Sequence, residues 1–218
     1  MVRRVPQSEF DLLVIGGGIV GAGVARDAAL RGLRTILVEQ SDFASGTSGR
    51  SSRLLHGGLR YLAQGHIGLV REASKEKVLL TRLAPHLSQP LPFLFPSWRG
   101  GWPLWKLAAG VKLYDLLAGG NLESSSVYGQ QRLLTEIPGL RGDGLRGGVR
   151  YFDALTNDAR LVIDTLRSAS QAGATPLNYT RFESSDRRGS EWRCSVRDQL
   201  SGEIFELRPK TIVNATGA

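Results

Sequence analysis

The stretch Phe10–Gln40, FDLLVIGGGIVGAGVARDAALRGLRTILVEQ, constrains the fold more than any other part of the chain. Leu12–Ile15 is a short apolar run of the kind found in strands buried on both faces. Gly16, Gly18 and Gly21 follow as G-x-G-x-x-G, where that strand has to turn into a helix. The first glycine permits a tight turn, the second lets backbone approach a pyrophosphate, and the third lets the helix pack close to the sheet. Phosphates bound there sit on a helix N-terminus, where free amides and the helix dipole favour anions. Gly21, Ala25, Ala28 and Gly32 give the helix a face of small residues, with Gly32 placed to end it. Thr35–Val38 reads as the next strand and runs into Glu39. That carboxylate follows Gly21 by 18 residues, near the spacing of about 20 for an acid that accepts hydrogen bonds from an adenosine ribose. A plain βαβ unit with a solvated Glu39 shares some of these features, but all of them in register point to a dinucleotide site. A terminal carboxylate rather than an arginine argues against a 2′-phosphate and leaves NAD or FAD.

Composition narrows the class. The 218 residues suffice for one large domain or one and a half, and 41% of them are hydrophobic, as expected of a soluble globular α/β protein. One cysteine, Cys194, excludes an internal disulfide and a multi-cysteine metal site, and no metal centre is expected. Its simplest reading is a half-buried strand residue, not a nucleophile. The net charge of +8 points to anionic partners, either phosphates or a lipid surface. No arginine–aromatic pattern of RNA binding appears, so nucleic acid is not an expected partner. Arg3 and Arg4 precede an apolar run that Asp11 and the glycines break, which is not a signal peptide. No stretch has enough consecutive apolar residues to span a bilayer.

Beyond the opening unit, Ser41–Ser52 is a loop rich in glycine and hydroxyls, able to donate to phosphate oxygens or simply to connect. In Arg53–Leu62, RLLHGGLRYL, His56 beside paired glycines suggests backbone pressed against a flat ligand, with Arg60 and Tyr61 able to reach an anion. Each residue taken alone also fits a structural role. Leu69–Ala84 reads as a helix closed by Pro85, and Pro90–Pro96 as a short extended segment. Trp98–Ala118 holds three of the four tryptophans, with Pro103 at a helix start. Its helix is apolar nearly all round, which fits a buried helix, while its aromatic and basic residues also fit a membrane interface. Gly119–Gly148 reads as connection with one helical turn near Gln130–Glu136, and Val149–Phe152 as a strand. Asn157 or Thr156 can cap a helix over Asp158–Ala172, whose Arg160, Asp164, Arg167 and Gln171 form a solvent face. The remainder reads as β: Thr175–Phe182, a hairpin of Trp192–Arg197 with Ile204–Arg208, then Thr211–Asn214.

The run TSGRSSRLLHGGLRYL, after VIGGGIVGAGVARDAALRGL and VEQSDFASG, resembles the FAD-dependent glycerol-3-phosphate dehydrogenases, respiratory flavoproteins of the D-amino-acid-oxidase-like group. The opening unit fits many flavoproteins, whereas SSRLLHGGLRYL is much more specific. APHL (Ala84–Leu87), LYDLLAG (Leu113–Gly119), NDARL (Asn157–Leu161) and the final VNATGA extend the likeness through the whole chain. The resemblance implies an α/β fold: a Rossmann-like FAD-binding domain with a βαβ start, a parallel sheet and a β-meander. Residues 1–218 are expected to be its N-terminal portion, with substrate-domain elements within 85–150.

The implied chemistry is oxidation of sn-glycerol 3-phosphate to dihydroxyacetone phosphate. Hydride passes from C2 to the flavin, and electrons then pass to a quinone. By the same resemblance the enzyme is cytoplasmic, peripheral on the cytoplasmic face of the inner membrane. Gly16, Gly18, Gly21, Glu39 and Gln40 are expected at the ADP half of FAD, and Thr47, Ser48, Ser51 and Ser52 on the pyrophosphate side. Ala215, Thr216 and Gly217 match a turn near the pyrophosphate. His56, Gly57 and Gly58 are expected to approach the isoalloxazine, and Tyr61 to face the substrate. The chain ends at Ala218, before the expected substrate domain is complete, which suggests a truncated frame or a fragment and puts the catalytic base beyond it. Two further readings stand beside this one. One is a related flavin oxidase of amino or hydroxy acids, which HGGLRYL speaks against; the other is a non-catalytic remnant.

Overall fold

The computed structural model describes residues 9–118 and 123–217. In chain order its elements begin with β1 (Glu9–Ile15), α1 (Ile19–Leu30), β2 (Thr35–Val38), a 3-10 turn (Thr47–Gly49), β3 (Leu54–Leu55) and α2 (Leu59–Ala63). They continue with α3 (Ile67–Leu83), β4 (Ser88–Trp98), α4 (Leu104–Leu117), β5 (Ser126–Tyr128), α5 (Gln130–Glu136) and β6 (Leu145–Thr156). The chain closes with α6 (Asp158–Gln171), β7 (Thr175–Leu177), β8 (Thr180–Arg188), β9 (Glu191–Asp198) and β10 (Ile204–Asn214). Two units divide these elements: Met1–Ser52 with Asp158–Ala218, and Arg53–Asn157.

In the first unit, β1 lies parallel to both β2 and β10, and β7 continues the parallel set beside β2. The strand order is β7-β2-β1-β10-β9-β8. β10 belongs to two patterns at once. Its first half, Ile204–Leu207, runs antiparallel to β9, and its second half, Arg208–Asn214, runs parallel to β1. The meander β8-β9-β10 thus joins the parallel sheet through one strand. Alternation along the strands serves two faces. Leu12, Val14 and Leu37 meet Ala22, Ala25 and Ala29 of α1 and Val162, Leu166 and Ala169 of α6. Leu13, Ile36 and Val38 face Cys194, Val196 and Leu207 of the meander.

α1 keeps its buried face to glycine and alanine, so its axis can lie close to the sheet. Gly32, at φ +80, ends it: the Gly32 and Leu33 amides donate to the Ala29 and Ala28 carbonyls, closing the last turn. α6 buries Val162, Leu166 and Ala169 and turns its charged face outward. Thr156, one of two residues read as its cap, keeps its buried hydroxyl without a hydrogen-bond partner. Thr175–Phe182 is two strands, not one. The chain breaks at Tyr179, φ +51, where it leaves the parallel sheet for the meander.

The second unit is built on β6, a twelve-residue strand that pairs β4 on one side and both β3 and β5 on the other. β4 is longer than Pro90–Pro96. Its Pro90, Pro92 and Pro96 sit at even spacing, so all three turn their donor-less nitrogens to the same edge. Pairing with β6 uses the other edge. Gly119–Gly148 is more than connection, although residues 119–122, including Gly119 of LYDLLAG, lie outside the described residues. It supplies β5, α5 and the start of β6, held by a small core of Tyr128, Leu133 and Leu145. α4 buries Val111 and Tyr114 but leaves Trp105, Leu113 and Leu116 exposed, so the reading of a helix buried all round does not hold.

Candidate functional site

The carboxyl ends of β1 and β2 and the turn after β10 open onto one cleft of about 600 Å³. In a parallel sheet this end carries ligands, because the loops there leave amides and helix N-termini facing outward. Gly16 turns at φ +113, its amide donating to the Val38 carbonyl at 2.8 Å. Gly21 sits one turn along α1, so close that an added Cβ would lie 1.9 Å from the Gly16 carbonyl oxygen. That contact draws the first turn of α1 onto the glycine loop.

Glu39 does more than end β2. Its Oε2 accepts from the Gly17 amide at 2.8 Å and its Oε1 from the Ser41 amide at 2.8 Å. The carboxylate therefore braces the glycine loop while lining the cleft. Ser48 stands at the helix entrance, where its Oγ accepts from the Ile19 amide at 3.0 Å. The hydroxyl proton remains free to donate. Across the cleft the Ala215 amide donates to the Ile15 carbonyl at 2.8 Å. The Thr216 amide and hydroxyl both donate to Asn214 Oδ1, at 3.1 and 2.8 Å, which shapes the Ala-Thr-Gly turn.

Of the residues expected from sequence, Gly16, Gly18, Glu39, Gln40, Thr47, Ser48, Ala215, Thr216 and Gly217 line this one cleft. Gly21 acts from behind, through Gly16. Ser51 and Ser52 are not among the cleft residues: Ser51 donates its hydroxyl to the Asp158 carboxylate, and Ser52 is exposed. His56, Gly57, Gly58 and Tyr61 belong to the second unit, where Gly57 and Gly58 are buried, Tyr61 is half-buried and His56 is exposed. Gly58, at φ +73, caps α2, which carries Tyr61.

Three residues that the sequence reading missed meet behind that loop. Lys77 Nζ lies 3.0 Å from Asp153 Oδ1, and the same oxygen accepts the Tyr114 hydroxyl at 2.7 Å. The Tyr114 oxygen in turn accepts from the Gly57 amide at 2.7 Å. Burial, reinforced by the Asp153 charge, pushes the Tyr114 phenol well above its usual range, and the same causes push Tyr151 up to about 12. The available signal was Lys77 itself, a charge set in the buried stripe Val70, Ser74, Val78 and Thr81 of α3.

The cleft of the first unit fits the ADP end of a dinucleotide. It offers a helix N-terminus, a glycine turn with no room for side chains, a serine donor, and a carboxylate with lone pairs beyond the two in use. The family described as FAD dependent oxidoreductase matches residues 11–218. The chain belongs to that family. The dinucleotide of this FAD dependent oxidoreductase is accordingly FAD and not NAD, and its α/β sheet with appended meander is the Rossmann-like FAD-binding fold.

Glycerol-3-phosphate dehydrogenase 2 of Mycobacterium tuberculosis is 46% identical over 218 residues, covering 99% of this chain and 37% of that protein. The mitochondrial glycerol-3-phosphate dehydrogenase of Bos taurus is 44% identical over 227 residues, covering 96% of this chain and 31% of that protein. Among solved structures, the glycerol-3-phosphate dehydrogenase from Bacillus halodurans complexed with FAD is 32% identical, with a TM-score of 0.72. That match covers 96% of this FAD dependent oxidoreductase and 34% of the solved chain. The chain thus spans about a third of the length of the relatives it matches.

Proposed function

We propose that this chain is the FAD-holding part of an enzyme that oxidises sn-glycerol 3-phosphate to dihydroxyacetone phosphate and passes the electrons to a quinone. The observation that carries the reading is the 46% identity, over 99% of the chain, with a mycobacterial glycerol-3-phosphate dehydrogenase. The cleft of the first unit supports it with a cradle of the right chemistry. When bound, the flavin supplies two-electron redox chemistry that no side chain has.

The chain's own residues bind and orient it. Glu39 accepts from the adenosine ribose with the lone pairs that Gly17 and Ser41 leave open, and Gln40 lies beside it. Gly16 and Gly18 leave room for phosphate oxygens at the start of α1, while Thr47, Ser48 and the Ala215–Gly217 turn donate to them. Ser51 and Ser52 rank lower, since Ser51 already donates to Asp158. In the second unit, His56, Gly57 and Gly58 carry the backbone that meets the redox ring, and Tyr61 faces the substrate. Elements within 85–150 contribute to substrate binding.

A membrane quinone as acceptor goes with a peripheral place on the cytoplasmic face of the inner membrane. The exposed tryptophans of the second unit support contact with a membrane surface, and no described helix is long and apolar enough to cross a membrane. The reaction is tested on the whole enzyme of which this chain is the FAD-holding part, loaded with FAD and given sn-glycerol 3-phosphate without oxygen. Bleaching of the flavin band by glycerol 3-phosphate and not by glycine, with recovery on adding a soluble ubiquinone analogue, is the expected result. Bleaching by amino acids alone would overturn the substrate assignment.

A further inference from the structure

A buried ion pair is an inefficient source of stability, because two charges must be stripped of water before they attract each other. The second unit nevertheless buries one, with the Lys77 and Asp153 side chains 7% and 6% exposed. The surrounding bonds give the pair a direction. Lys77 Nζ donates to Asp153 Oδ1 at 3.0 Å and to the Phe152 carbonyl at 3.2 Å, and it stands 5.1 Å from the centre of the Tyr114 ring. The ionised carboxylate only accepts, so the Tyr114 hydroxyl must give it its proton. The phenol oxygen is then left with lone pairs alone, and the Gly57 amide donates to it. One residue of α3, one of β6 and one of α4 are therefore bonded in series, and the series ends on the backbone of the His56–Gly58 loop. Only glycine allows that ending, since a Cβ at position 57 would lie 2.6 Å from the Tyr114 hydroxyl oxygen.

We propose that Tyr114, oriented by Asp153 and Lys77, is a positioning residue that fixes the His56–Gly58 backbone against the redox ring of the cofactor. This rests on the proposed function, which puts that loop at the ring. The charged pair sets the phenol, the phenol sets the Gly57 amide, and the loop presents a fixed row of backbone dipoles. Fixed dipoles beside a ring that takes up negative charge on reduction act unequally on its oxidised and reduced forms, so loosening the loop shifts the midpoint potential.

The test compares the FAD-loaded protein with its Tyr114→Phe variant. The phenylalanine keeps the ring but leaves the Gly57 amide without its partner and the Asp153 oxygen with Lys77 alone. Amide hydrogen exchange at Gly57 is expected to speed up by about tenfold or more. The flavin absorbance band and midpoint potential are expected to shift while FAD stays bound. Unchanged exchange at Gly57 would overturn the clamp. Faster exchange with an unaltered flavin band and potential would reduce the network to a structural one and overturn the positioning role. If Tyr114→Phe does not fold, 3-fluorotyrosine at position 114 keeps the shape and the hydroxyl while changing its acidity, and the same two readouts decide. A wild-type protein that retains no flavin would overturn the proposed function and the ring half of this inference, while Gly57 exchange would still report the clamp.

Discussion

Glu39, read from its spacing as a ribose acceptor, also carries two backbone amides, those of Gly17 and Ser41. Spacing could place the carboxylate at the end of β2, but not these bonds, which exist only once the glycine loop has turned back over it. Glu39→Gln keeps the length and replaces one acceptor oxygen with a donor, leaving one buried-side amide facing another N–H. The lost bond should cost about 1–3 kcal/mol. The thermal midpoint should fall without cofactor, and FAD should bind more weakly by fluorescence titration. An unchanged midpoint and affinity would make Glu39 a solvated strand end. Cys194 is the opposite case, read from sequence as a half-buried strand residue and fully buried in the fold. Burial first, and the Glu206 charge second, push its thiol up to about 11. It should not react with a disulfide reagent at about pH 8 until the protein unfolds, since only the thiolate attacks. The sign of the linked stability follows. The unfolded thiol titrates near 8.5 and the folded one higher, so stability is whole below about pH 8.5 and falls as pH rises towards 11. Cys194→Ala should be less stable throughout but lack that part of the alkaline slope.

Elements whose reasons are local were legible in the sequence: β1, α1, β2 and α6 repeat their apolar residues at the period of their own backbone. Elements whose reasons are distant were not. β5 holds through Tyr128, which finds its partners on β4 and β6, whereas α5 stands where a helical turn was read, at Gln130–Glu136. The meander was legible as a hairpin, but the double use of β10 was not, because pairing with β1 joins segments nearly 200 residues apart. The cleft followed the same division. The glycine loop and Glu39 announced themselves, whereas Asn214, which shapes the last turn, needed coordinates. Two glycines of α1 put the packing argument to a test within one helix. Gly21→Ala pushes a methyl into the Gly16 carbonyl and should cost ~2 kcal/mol or more, with loss of FAD. Gly23 is exposed with nothing within 4 Å of an added Cβ. Gly23→Ala should therefore stabilise by about 1 kcal/mol, through helix propensity alone. Equal effects at both positions, read by denaturant unfolding, would refute close packing at Gly21.

For the whole molecule, the net charge of +8 favours an anionic surface, and the large hydrophobics exposed in the second unit include two tryptophans. Trp102, Trp105 and Leu116 are 62%, 68% and 76% exposed, and Lys106 lies 5.5 Å from the centre of the Trp105 ring. Beside them is a cleft of about 590 Å³ lined by Leu59, Leu62, Ile67, Phe95 and Trp102, with Arg60 and Lys106 in its wall. Indole rings next to basic groups on an apolar helix suit the headgroup region of a bilayer, where a ring is half desolvated and a cation meets phosphate. The two contributions separate by salt. Attraction of basic residues to anionic lipid is worth about 1 kcal/mol per charge near the surface and is screened over about 10 Å at roughly 0.1 M salt. Burial of tryptophan is not screened. The protein should therefore bind phosphatidylserine-containing vesicles at low salt, with a blue shift of tryptophan fluorescence, and come off as salt rises. Replacing both Trp102 and Trp105 with alanine should weaken binding at every salt concentration without altering the thermal midpoint, because neither ring is part of a core. Equal recovery from phosphatidylserine and phosphatidylcholine vesicles at low salt would remove the membrane from this reading. The exposed face of α4 would then belong to protein, not lipid.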